Sequence, residues 1–293
     1  MRQRRHGHEC GGGALLAEEL LAYRNEIRPV ADVRHVGVDL DDVVHAAARR
    51  LHQRLEAAER LPRLSLEVAA VGDRAVLVVG DLAALLWVIN LGCIDLNEWY
   101  ARCDDVDRPD YLHFDLDPGE EVGFPQVVET AHVVKETLRG LGMPTYAKTT
   151  GSRGIHVYVP IVRGPTQKDV WTVAKTISLD IAKRHPGLTT AVYRKELRPR
   201  DRVHVDFNQN AWGRTLASVY SVRPRPRAPV STPVTWEELG GPLAIDDFRM
   251  DNVPARVKRL GDLWAPVTAA SGRGRFDLTP FVTATRPRSP RPR

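Results

Sequence analysis

The chain has 293 residues, enough for one large domain or two small ones with a sizeable core. Hydrophobic residues make up 43% and charged residues 27%, which excludes a disordered or fibrous composition, and the net charge of +5 is compatible with a polyanionic partner. No stretch approaches the roughly 20 apolar residues of a membrane span, and Arg2, Arg4 and Arg5 lead into His, Glu and glycines rather than an apolar signal core.

Cys10, Cys93 and Cys103 are odd in number and lack zinc spacing, which points to a reducing compartment such as the cytoplasm. Residues 1–80 contain no Lys, Phe or Trp yet hold half of the ten histidines, so they form an atypical N-terminal region, diverged or partly disordered. Within it, His45–Glu59 is expected as an amphipathic helix and Val68–Val79 as strands. From Asp81 the patterning improves. Asp81 is a candidate N-cap for a helix bearing Leu82, Leu85, Leu86 and Ile89, with Gly92 as its stop.

Tyr111–Asp117 is a predicted strand closed by Pro118 and Gly119. Val127, Val128, Ala131, Val134 and Leu138 predict a helix, Gly154–Ile161 a second strand, and Thr166 caps a helix carrying Val170, Val173, Ile177 and Ile181. Val203–Phe207 is a third strand. Strands separated by helices give an α/β or α+β layered fold. From Thr268 the chain turns polar and ends in a Pro/Arg-rich run to Arg293, so residues 268–293 are expected to be a disordered basic tail.

Strand alternation puts Leu112, Phe114 and Leu116 on one side of the first strand and His113, Asp115 and Asp117 on the other. Two acids at i and i+2 describe either a solvated strand edge or a divalent-metal site. Val203–Asn210 repeats the logic, with Val203, Val205 and Phe207 opposite His204, Asp206 and Asn208. If the two strands are neighbours, Asp115, Asp117 and Asp206 form a hard-oxygen cage for one or two Mg²⁺ or Mn²⁺ ions.

Between them, Lys148-Thr-Thr-Gly-Ser-Arg-Gly-Ile-His-Val-Tyr158 forms a Gly-containing loop leading into a strand. It is either an ordinary turn or a phosphate cradle, with Thr150, Gly151, Ser152, Arg153 and His156 facing a triphosphate. The run Arg194, Lys195, Arg198, Arg200 and Arg202, followed by Arg214 and Arg223, is either a solvated face or a phosphate-contacting groove.

In order, Phe114-Asp-Leu-Asp-Pro118, Thr150-Gly-Ser-Arg-Gly-Ile-His156 and Val205-Asp-Phe-Asn-Gln-Asn210 resemble the polymerase domain of bacterial DNA ligase D, in the archaeo-eukaryotic primase superfamily. Asn90-Leu-Gly-Cys-Ile-Asp-Leu96, Tyr220-Ser-Val-Arg223 and Pro229-Val-Ser-Thr-Pro-Val-Thr-Trp236 extend the resemblance over residues 81–267. It implies an α+β fold, a primase-type core with an RRM-like antiparallel sheet and flanking helices. It implies that Asp115, Asp117 and Asp206 are catalytic and bind two metal ions, usually Mn²⁺. It places Thr150, Arg153, His156, Gln209 and Arg223, with Arg198 and Asn97, around a nucleoside triphosphate, and Lys195, Arg200, Arg202 and Arg214 near DNA.

The family adds nucleotides, often ribonucleotides, to DNA ends with a 5′-phosphate during non-homologous end joining, together with Ku and a ligase. No ligase motif is visible in this chain, so a separate ATP-dependent ligase is expected, and the setting is the bacterial nucleoid. The chain departs from the family pattern at Asn97, where a histidine is common, at Arg153, where Lys is common, and at Thr150, where Ser is usual. It departs most in residues 1–80, where the expected lysines and Phe-Phe segment are missing; a reading-frame change upstream of about Gly80 is one explanation. Three functions follow in order of support: nucleotidyl transfer, a catalytically weakened DNA-end-binding module of the same fold, and a metal-dependent phosphodiesterase.

Overall fold

A computed structural model of the protein describes residues 67–71, 74–269 and 274–285. The expected helix at His45–Glu59 and the terminal Arg286–Arg293 run lie outside these residues. Two units are distinguished, residues 1–94 and residues 95–293. In the first, β1 (Glu67–Val71) and β2 (Arg74–Val78) pair as an antiparallel hairpin. The helix α1 (Leu82–Asn90) follows, and Asp81 caps it by accepting from the Ala84 amide at 2.8 Å. Gly92 stops it at φ +85°, a conformation that costs glycine nothing.

The second unit is built on a six-stranded sheet in the order β10-β5-β6-β4-β8-β7. Its members are β4 (Tyr111–Pro118), β5 (Tyr146–Thr149), β6 (Ile155–Pro160), β7 (Thr189–Thr190), β8 (Val203–Asp206) and β10 (Pro233–Val234). All neighbours are antiparallel except β7 and β8. A separate two-stranded ribbon joins β3 (Asn97–Glu98) to β9 (Leu216–Ala217). The architecture is the expected α+β arrangement.

Two long helices cover one face of the sheet. In α2 (Phe124–Gly140), Val127, Ala131, Val134 and Leu138 recur at helical spacing and are fully buried. In α3 (Gln167–Arg184), Val170, Val173, Ile177 and Ile181 do the same. Thr166 and Asp169 form a reciprocal capping box, and Lys183 and Arg184 sit in the last turn, where the helix dipole favours cations. These stripes share one core with Leu112, Phe114 and Leu116 of β4, Ile155 and Val157 of β6, and Val203 and Val205 of β8. Burying each such side chain contributes about 1.5–3 kcal/mol, and this anchors the strand register on which the other face depends.

Residues 274–285 depart from the expectation of a disordered tail from Thr268 onward. Phe276 bridges in parallel to Ile161, Leu278 is fully buried, and Val282, within α7 (Thr279–Thr285), is buried in the main core. The short helices α4 (Trp236–Leu239), α5 (Val253–Leu260) and α6 (Ala265–Thr268) precede it. Arg275 fastens this segment. Its guanidinium donates to the carbonyls of Asp110 (2.8 Å), Ile161 (3.0 Å), Val267 (3.2 Å) and Ala269 (2.8 Å). Arg275→Ala takes a donor from each of those carbonyls, although the Asp110 carbonyl keeps the Ile161 amide at 3.0 Å. The expected loss is about 2–4 kcal/mol, read as a drop of about 5–10 °C in thermal midpoint; an unchanged midpoint would show that the segment adds nothing to the fold.

Candidate active site

The second face of the sheet is polar because side chains alternate along each strand. Asp115 lies at its centre. The β4–β8 register sets it opposite Asp206, and the β4–β6 register sets it opposite His156. Asp117 stands opposite His204. The hydrophobic stripes beneath fix this register, so an aspartate from each of two distant segments is brought to one row. Asp115 and Asp206 are each 7% exposed, while Asp117, one step toward the strand end, is exposed.

Burial, and then the nearby Asp206 charge, pushes the Asp115 carboxyl up to about 7. The charge of Asp115, followed by burial, pushes Asp117 up to about 7. Asp206 behaves differently. Burial works upward on it, but His204, the Asn208 amide at 2.7 Å and the Arg198 charge hold it below the ordinary aspartate value. His156 Nε2 lies 3.2 Å from Asp115 Oδ1, and burial, with Lys148 and Arg223, keeps its imidazole well below the usual range and therefore neutral. His204 Nδ1 lies 3.2 Å from the Thr190 carbonyl, an acceptor, and Nε2 faces Asp206 Oδ1 at 3.7 Å.

Three acids thus stand together with few direct counter-charges. Asp115 Oδ1 is buried with no hydrogen bond of acceptable geometry, an expensive arrangement for a charged oxygen. Among the described residues no three His, Cys, Asp or Glu side chains stand, as placed, in a group that could hold a metal ion. The donor set itself, three carboxylates on adjoining strands, suits a hard cation such as Mg²⁺ or Mn²⁺.

The β5–β6 loop is tightly built. The Thr150 hydroxyl accepts from the amides of Ser152 and Gly154, both at 3.1 Å. Gly151 has φ +65°, and a Cβ there would meet Arg223 Cγ at 2.7 Å; a Cβ on Gly154 would strike the Leu116 carbonyl. These glycines therefore let the loop pack on β4 and on the Arg223 segment. Two of its amides are spent on Thr150 instead of pointing at a ligand, leaving exposed Arg153 and half-buried Ser152 as the side chains that face outward.

The remaining expected residues divide. Gln209 Nε2 lies 3.3 Å from Asp206 Oδ2, in the carboxylate group. Arg223 is half-buried 3.4 Å from Asp95, whose carbonyl accepts from exposed Asn97 at 3.2 Å, and its buried Nε has no hydrogen-bond partner. Arg198 donates to the carbonyls of Val192 and Tyr193, which fixes the loop before β8. Of the basic run, Lys195 and Arg214 are exposed, whereas Arg200 pairs with Glu120 and Arg202 with Asp201 and the Pro186 carbonyl. His204 and Lys148 lacked an assigned role in the sequence. Alternation placed His204 beside Asp206, but its facing of Asp117 depends on strand pairing.

The family model of the LigD primase-polymerase domain matches residues 52–264. The chain belongs to this family. The match begins at residue 52, within the N-terminal region that the motifs left unaligned. Similar proteins include the multifunctional non-homologous end joining protein LigD of Mycolicibacterium smegmatis, 32% identical over 194 residues covering 66% of this chain and 25% of that protein. LigD of Pseudomonas aeruginosa is 31% identical over 66% of this chain and 23% of its own length. The chain thus spans about a quarter of these relatives. Among solved structures, the polymerase domain of Mycobacterium tuberculosis ligase D in complex with DNA matches with a TM-score of 0.63 and 28% identity, over 73% of this chain and 77% of that one. No helix among the described residues is long and apolar enough to cross a membrane.

Proposed function

We propose that this LigD-family chain is a metal-dependent nucleotidyltransferase that adds nucleotides, including ribonucleotides, to DNA 3′ ends or gaps in non-homologous end joining. The observation that carries the reading is the register of Asp115 against Asp206, with Asp117 on the same face. Asp115, Asp117 and Asp206 would hold two Mn²⁺ or Mg²⁺ ions, which supply charge stabilisation at the attacking and leaving oxygens. The primer 3′-hydroxyl attacks the α-phosphorus of a nucleoside triphosphate; a P–O bond forms, the α–β bridge breaks, and pyrophosphate leaves.

The chain's own groups prepare that step. Neutral His156 stands against Asp115 and has a single ring N–H, which it offers to the triphosphate. Gln209 and the Asn208 amide fix the rotamer of Asp206. Arg153 and Arg223 bind phosphate oxygens, Asn97 contributes a hydrogen bond from the opposite wall, and the Thr150–Ser152 turn holds Arg153 in place. Lys195 and Arg214 meet the DNA backbone, with Arg200 and Arg202 joining on release from their exposed carboxylate partners, whose hold is weak.

DNA ends with a 5′-phosphate, Ku and an ATP-dependent ligase activity are the partners this role calls for. The bacterial cytoplasm, at the nucleoid, is its setting. The names of the relatives and the DNA in the matching solved complex support this assignment. Asn97 in place of a histidine favours a second reading, a weakened end-binding module. Primer extension on gapped, 5′-phosphorylated DNA with Mn²⁺ and labelled ATP or dATP separates them. One-nucleotide products with pyrophosphate release support transfer, binding without products supports the end-binding module, and shortened strands would indicate a phosphodiesterase.

A further inference from the structure

Lys148 is fully buried, and no other lysine or arginine among the described residues is buried to that degree. A methionine would fill the same space without the cost of enclosing an ammonium, so the charge calls for an explanation. The strand registers supply a setting. Lys148 of β5 faces His156 of β6, His156 faces Asp115 of β4, and Asp115 faces Asp206 of β8. A fixed cation thus begins a four-strand row that ends in two of the proposed metal ligands.

The ammonium also bonds outward from the sheet. Nζ donates to the Ala217 carbonyl and to Ser231 Oγ, both at 2.7 Å, and the Ser231 hydroxyl in turn donates to the Thr149 carbonyl at 2.9 Å. Ala217 pairs with Asn97 in the β3–β9 ribbon. The Ser218 amide donates to the Leu96 carbonyl, and the Leu96 amide to Ser221 Oγ, both at 2.8 Å. Glu98 follows Asn97, and its carboxylate accepts from the Tyr111 hydroxyl of β4 at 3.4 Å. Burial pushes Glu98 up to about 7 and Lys148 down to about 8, and each pulls the other back toward its charged form.

We propose that Lys148 is a positioning residue whose buried ammonium clamps the β3–β9 ribbon and Ser231 to the catalytic sheet, and so sets Asn97 and the Arg223 segment at the working distance from His156 and Asp115. The nucleotide half of this proposal rests on the nucleotidyltransferase reading. The charge matters because a carbonyl and a hydroxyl, both acceptors, converge on one point. No apolar side chain can hold them there.

Lys148→Met keeps the stem and removes the ammonium. The double variant Lys148→Met/Glu98→Gln also removes the carboxylate left without its counter-charge. The single variant is expected to exchange amides of residues 95–98 and 216–218 at least tenfold faster, and to raise KM for ATP (with Mn²⁺, on gapped DNA) at least tenfold with kcat within threefold. The double variant is expected to recover the thermal midpoint and to keep both defects. Unchanged exchange and KM in Lys148→Met, or recovery of KM along with midpoint in the double variant, would overturn the clamp. Wild-type protein that extends no primer defeats the nucleotidyltransferase reading and with it the nucleotide half, while the exchange rates still decide the clamp.

Discussion

Asp117→Asn is expected to abolish primer extension and at the same time to raise the thermal midpoint of the metal-free protein. The two effects share a cause. Asp117 is held near neutrality first by the charge of Asp115 and then by burial, so the amide removes a repulsion that the folded sheet sustains for function. The gain is discounted for the exposure of Asp117 and is expected at about 1 kcal/mol, a rise of about 2–4 °C. The loss is far larger. Removing one of the three proposed ligands is expected to forfeit several kcal/mol of transition-state charge stabilisation, or at least about 10³-fold in rate. Asp115→Asn follows the same rule. DNA binding, set by the basic face, stays within about threefold. Extension within tenfold of wild type, or a midpoint that falls, would count against the shared-cause explanation.

Metal and pH are expected to act together on stability. The Asp115 and Asp117 carboxyls are raised in the folded protein to about 7, from an ordinary value of 3.8. Between those values the folded chain holds protons that the unfolded chain has released. Their contribution to stability is therefore fully present below about pH 4 and is lost as pH rises through 7. Asp206 is held below its ordinary value, on the acid side of this window, and does not alter it. A divalent ion binds the deprotonated carboxylates, so its stabilisation grows as pH rises. The metal-free midpoint should fall from pH 6 to pH 8. Saturating Mn²⁺ should raise it by about 5 °C or more at pH 8, and by less at pH 6. Equal shifts at both values would mean that the ion binds groups other than this pair.

Much of the site was legible because short-range alternation carries it. Leu112, Phe114 and Leu116 against His113, Asp115 and Asp117 needed only the two-residue period of a strand, and Thr166 needed only a capping pattern. The pairing of Asp115 with Asp206 was conditional in the sequence, since 91 positions separate them and register is a property of the folded sheet. Two features were beyond it. Arg275, Phe276, Leu278 and Val282 lie scattered among glycines, threonines and arginines, and their partners are far away in sequence, so their burial left no periodic trace. Lys148 resembles any cation beside a Gly-rich loop; its acceptors lie 69 and 83 residues further on. The glycines of that loop suggested a phosphate cradle, whereas close approach of Gly151 to Arg223 and of Gly154 to Leu116 accounts for them.

The central claim is that Asp115, Asp117 and Asp206 jointly hold the divalent ions of nucleotidyl transfer. Anomalous diffraction from crystals grown with Mn²⁺ and a non-hydrolysable nucleoside triphosphate tests it most directly. The expected result is Mn²⁺ density bridged by these three carboxylates, beside a triphosphate that reaches Arg153 and Arg223. Density elsewhere, or nucleotide bound while the three carboxylates carry no ion, would contradict it.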